Sequence, residues 1–139
     1  MPPSEVSNKH QKSSTMKEGD IHLIDLDFEY KIWKNHIEWF LRDLKTIRDR
    51  NSEVSGESGK KGRLNTVEEM ILDEWEDQLK KMMGLIKNRE EELQYYNKDF
   101  PVASGHQYFK EHLEIRMKME KLSSDVIAKL TDLISELRV

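Results

Sequence analysis

Cysteine is absent from the 139-residue chain. That excludes disulfides and any thiolate for zinc binding or nucleophilic attack, and a cytoplasmic setting is the matching expectation. Three prolines and six glycines are too few for the turn density of a β-sandwich or barrel. No apolar run approaches the roughly 20 residues of a membrane span, and the opening stretch MPPSEVSNKHQKSSTMKEGD has no apolar segment of the kind an export signal carries. An excess of positive charge is also missing. The formal net charge is −4, whereas a nucleic-acid binder of this size would show a dominant basic patch. Neither a membrane nor a nucleic acid is expected among its partners.

Familiar catalytic motifs are absent as well. SGESGKKG at 55–62 resembles a phosphate-binding loop only on the surface. Aligned on Gly59-Lys60, the pattern GxxxxGK[ST] meets Val54 in place of its first glycine and Lys61 in place of its hydroxyl. Such a loop also needs a preceding strand and an immediate helix to aim backbone N–H groups at the anion. Paired serines and bases are not found, and the runs of Glu and Asp between 66 and 99 fall on the outward side of a helix, where a solvated acidic surface is the simplest account. No enzyme activity and no cofactor are expected.

Three long periodic segments are what the chain does contain. Residues 1–19 are polar, without periodicity, and too poor in apolar side chains to offset the entropy of ordering, so a disordered tail is expected there. Over 20–51 the apolar positions Leu26, Tyr30, Trp33, Ile37, Phe40, Leu44 and Ile47 step by fours and threes, which marks one helix face. Residues 52–65 are expected to be a flexible linker. Over 66–98 a second stripe holds Leu72, Trp75, Leu79, Met82, Ile86, Arg89, Leu93 and Tyr96, and Thr66 with Glu69 has the spacing of a capping box. Pro101 interrupts it, Ser104 is the candidate cap of the next helix, and Tyr108, His112, Ile115, Met119, Leu122, Val126, Leu130, Leu133 and Leu137 carry a third stripe over 104–138. The reading is an all-α, elongated, up-down-up antiparallel three-helix bundle at 20–139, with coiled-coil-like packing.

Threading the stripes through that topology makes one end aliphatic and the other polar and aromatic. Tyr30, Arg89, Tyr96, Tyr108 and His112 meet at the polar end and, once buried, must find hydrogen-bond partners, because an orphaned group costs about 1–3 kcal/mol. A metal or small-molecule site there is the alternative reading. No Glu-x-x-His or His-x-x-x-His pair is present, so a metal would need a composite of Glu29, His36, Glu92 and His112 from three helices.

One feature points outward. Ile21, Phe28, Ile32 and Trp39 form a second apolar row on the first helix, rotated by roughly 100–140° from the main stripe. Regularly spaced exposed apolar side chains mark an interface. The expected role is a non-enzymatic interaction or structural module that binds a protein partner or forms a homo-oligomer through its first helix.

Overall fold

The computed structural model describes residues 20–58, 64–96 and 101–138. In chain order they form β1 (Asp20–His22), α1 (Leu23–Ser58), α2 (Thr66–Leu93), β2 (Pro101–Ala103) and α3 (Gln107–Leu137). The expected tail 1–19 and the Gly59–Arg63 part of the linker lie outside the described residues.

The long-range polar contacts fix the directions of the helices. Arg48 near the close of α1 pairs with Asp73 and Glu76 near the start of α2, and Lys34 pairs with Glu90 near the end of α2, so α1 and α2 run antiparallel. Glu29 meets His112 and Arg116 at the start of α3, while Arg50 Nε donates to the carbonyl of Leu137 at its end, so α1 and α3 run parallel. The molecule is an all-α three-helix bundle. At 1.5 Å per residue α1 is about 54 Å long.

The stripes read from the sequence face inward. Leu26, Tyr30, Trp33, Ile37, Leu44 and Ile47 of α1, Leu72, Leu79, Met82, Ile86 and Leu93 of α2, and Ile115 to Leu137 on the same face of α3 are buried in one cluster. Phe40 and Trp75 are half-buried against it. Each such aliphatic side chain contributes about 1.5–3 kcal/mol on leaving water, far more than the exposed i,i+4 ion pairs such as Lys45–Asp49 and Lys121–Asp125.

The second helix starts at Thr66 as expected, while four other boundaries and one cap differ from expectation, each for a local reason. The first helix does not start at 20: Asp20–His22 is extended and pairs antiparallel with Pro101–Ala103, in the register Asp20↔Ala103, Ile21↔Val102, His22↔Pro101. Nor does it end at 51. The stripe continues through Asn51 to a buried Val54, and the Asn51 side chain accepts a hydrogen bond from the backbone of the buried Leu64 at 3.1 Å. Seven residues assigned to a linker are therefore helix, and the Asn51–Leu64 bond ties this stretch to the chain entering α2.

At the start of α2 the cap is Asn65, one residue earlier than Thr66. Its side chain accepts from the backbone N–H of Glu68 at 2.8 Å, and Glu68 accepts from the N–H of Asn65 at 3.0 Å. Asn65→Ala is expected to cost about 1 kcal/mol, read as a lower midpoint in urea at unchanged slope, with Thr66→Ala costing less. The helix closes at Leu93, short of 98, and Tyr96 leaves it to pack on His106 and Tyr108. The third helix begins at Gln107, not 104, capped by His106, whose Nδ1 accepts from the N–H of Tyr108 at 3.0 Å. Imidazole supplies the same lone pair that a serine hydroxyl would, and His106 is fixed by its own N–H donating to the carbonyl of Ala103.

Candidate functional site

The strand pair clips the starts of α1 and α3 together, and the polar end of the bundle is built beneath it. Tyr30 from α1 and Tyr108 from α3 are both buried, with their hydroxyls 2.8 Å apart. The Tyr108 hydroxyl donates onward to the main-chain carbonyl of Arg89 at 2.6 Å, which leaves Tyr30 as the donor between the two phenols. Arg89 answers: its Nη2 donates to the carbonyl of Tyr108 at 2.9 Å, and its guanidinium lies 3.8 Å above the centre of the Tyr108 ring. Each residue thus bonds the other's backbone through its side chain, which locks α2 to α3 at this level. Burial, followed by the bond from Tyr30, pushes the Tyr108 phenol far above its ordinary value, so it remains a neutral donor.

Arg89 is only 6% exposed, and its charge is met by carboxylates at the rim. Nη1 lies 2.7 Å from Glu111 and 3.1 Å from Glu92. The Nε hydrogen finds no partner among the described residues.

A second bridge joins α1 to α3. The Glu29 carboxylate receives Nε2 of His112 at 2.6 Å and two guanidinium nitrogens of Arg116 at 2.8 and 2.9 Å. Burial alone would raise the pKa of Glu29, but its hydrogen bonds to Arg116 and His112 outweigh that and hold it below the ordinary carboxylate range. His112 is wholly buried, stacked on Trp33 at 5.1 Å and flanked by Tyr30 and Phe109. Burial lowers its pKa despite the neighbouring carboxylate, so the neutral ring donates from Nε2 to Glu29 and leaves Nδ1 as a lone pair without a partner among the described residues. An unused acceptor inside an aromatic cage is easier to bury than an unused N–H.

Of the residues selected from the sequence, Tyr30, Arg89, Tyr108 and His112 come together here, and Tyr96 packs half-buried against Tyr108 at 5.2 Å. The composite metal set does not assemble. Glu29 and His112 touch, but Glu29 is engaged by Arg116, His36 sits exposed on α1, and Glu92 lies beside Arg89. Among the described residues no group of three or more His, Asp or Glu could hold a metal ion. Arg116 and Glu111 complete the cluster from positions that lie off the periodic stripes of the sequence. Arg116 stands one helical turn after His112 on the same side, a spacing that could have revealed it as the cation for Glu29.

The outer row of α1 is placed differently from the cluster. Phe28 is 66% exposed and Trp39 64%, Ile32 is at 37%, and Ile24 joins them at 59%. Ile21 does not belong to the helix. It lies in β1 opposite Val102, half-buried against the core. Beside the row opens a cleft of ≈ 600 Å³ between α1 and α3, lined by Phe28, Ile32, Trp33 and His36 on one side and Arg116 and Met119 on the other. Asp25, Glu29, Glu120 and Ser123 add polar groups to a lining whose surface is mostly apolar, which suits an apolar side chain entering from outside more than a reactive small molecule.

No family model matches the chain, and no curated protein or solved structure matches it either. Among the described residues no helix is long and apolar enough to cross a membrane.

Proposed function

We propose that the chain is a non-enzymatic interaction module whose docking surface is the outer face of α1. The observation that carries this reading is the alignment of Phe28, Ile32 and Trp39 on one solvent-facing side of a helix whose opposite side is fully packed. Exposed aromatic residues near the centre of a patch are the usual anchors of protein interfaces. The polar end serves this role indirectly, by holding α1 rigidly against α2 and α3 through the Tyr30–Tyr108–Arg89 and Glu29–His112–Arg116 contacts. A preorganised face loses less entropy on binding.

The test separates folding from association. Phe28→Ser and Trp39→Ser are expected to leave helical circular dichroism intact and to change unfolding free energy by no more than about 0.5 kcal/mol, as surface substitutions do. Fluorescently labelled wild-type protein, sedimented both pure and in cell extract, is expected to run as a larger species that the variants lose. Identical sedimentation of wild type and variants under both conditions would refute the interface.

A further inference from the structure

The outer face of α1 carries a pattern that specifies what covers it. The positions Asp25, Phe28, Ile32, Asn35, Trp39 and Arg42 step by three, four, three, four and three, one continuous seam about 150° from the buried stripe at 100° per residue. All six are exposed. Reversed about the midpoint between Trp33 and Lys34, Asp25 exchanges with Arg42, Phe28 with Trp39, and Ile32 with Asn35, so the outermost pairs are opposite in charge and the next pairs are both aromatic. Neither Asp25 nor Arg42 has an ion-pair partner among the described residues.

We infer that a second copy of this chain docks on α1, with the two helices antiparallel across a twofold axis at the level of residues 33 and 34. This rests on the interface reading above and names its occupant. In an antiparallel helix pair the two alternating positions of one seam meet the opposite positions of the other. Here that puts acid against base in both outer layers and phenyl against indole in the next. The central layers set Ile32 against Asn35, bringing the two Asn35 amides close to the axis, where a polar pair fixes register. The Trp39 indole of the second copy lies over Phe28, at the mouth of the ≈ 600 Å³ cleft between α1 and α3. A parallel pairing in register would instead oppose Asp25 to Asp25 and Arg42 to Arg42, and like charges facing each other disfavour it.

The experiment uses the full chain. Sedimentation equilibrium over a dilution series is expected to show a dimer. Trp39→Ala and Asp25→Arg should each weaken it by about tenfold or more, while the double exchange Asp25→Arg with Arg42→Asp should recover most of the loss. Because the protein has no cysteine of its own, orientation can be read by cross-linking. A mixture of Asp25→Cys and Arg42→Cys proteins should form a disulfide between the two variants, whereas either alone should not, since identical positions lie about 25 Å apart along the axis. A purified protein that stays monomeric, or Asp25→Cys chains that cross-link to themselves, would overturn the antiparallel dimer. If a monomer nonetheless forms a Trp39-dependent complex in extract, the second copy is excluded and the interface reading stands; if no complex forms there either, both fall.

Discussion

Replacing Arg89 by methionine is expected to lower the unfolding free energy by about 2–4 kcal/mol, the largest effect of any charged position in the molecule. Several terms set the size. The guanidinium supplies the hydrogen bond to the Tyr108 carbonyl and the stack on its ring, worth about 1–3 kcal/mol and 0.5–2 kcal/mol in partly desolvated settings. Against these stands relief from burying a cation whose Nε has no partner among the described residues. Removing one member of a fully buried ion pair would cost more still, but here Glu92 and Glu111 are 51% and 40% exposed, so water can take over their charges. Arg89→Lys is expected to recover less than half of the loss, because an ammonium cannot lie flat on the ring while also reaching the Tyr108 carbonyl and both carboxylates. Urea unfolding of both variants checks this. A methionine variant within about 0.5 kcal/mol of wild type, the range of a surface substitution, would show that the reciprocal Arg89–Tyr108 contact does not hold α2 to α3.

How far this end was legible follows from which residues lie on a stripe. Tyr30, Arg89, Tyr108 and His112 occupy positions where a periodic apolar pattern demands burial, so a polar residue in that slot announces a buried polar group. Glu111 and Arg116 sit off the buried stripe, where composition alone does not distinguish a flanking charge facing a groove from one facing water; the place of Arg116 one turn after His112 is the single cue the sequence offers for it. The strand pair escaped for another reason: Asp20–His22 and Pro101–Ala103 are too short for any alternation to register, and their pairing depends on α1 and α3 already lying side by side. The same dependence hid the last turns of α1. Ser, Glu, Gly and Lys around 52–62 look like a linker by composition, yet Val54 continues the stripe after Asn51, and tertiary burial overrides weak local propensity.

The outer face of α1 shows the converse. Its periodicity was visible, but periodicity cannot say which of two apolar rows the bundle buries; the structure decides that by packing Leu26, Trp33 and Ile37 inward and leaving Phe28 and Trp39 outside. Extending the helical period across the residues of β1 puts Ile21 in the exposed row, and the strand takes it out. Once the row is restricted to α1, its reversal symmetry from Asp25 to Arg42 emerges.

Glu29→Ala is expected to cost about 2–3 kcal/mol at neutral pH, and the pH dependence of stability identifies the cause. Without the carboxylate, the Nε2–H of the wholly buried His112 loses its acceptor and carries the full penalty of an unsatisfied donor. Arg116 is 34% exposed and recovers most of its loss in water. Glu29→Gln keeps an oxygen for Nε2–H and is expected to cost about 1 kcal/mol. The pH profile separates the two titrating groups. His112 has a folded pKa below its ordinary 6.5, so the unfolded chain binds the additional proton first; its contribution is present above pH 6.5 and declines as pH falls toward the folded value. Glu29, held below its ordinary 4.5, adds a second decline at lower pH in the same direction. His112→Gln, whose amide still donates to Glu29 but does not titrate, should flatten the first decline and leave the second; Glu29→Gln should remove the second. Urea midpoints from about pH 8 to about pH 3 measure both. An unaltered slope near pH 6 in His112→Gln would mean that the buried imidazole is not held neutral, and the account of the Glu29–His112–Arg116 bridge would fail with it.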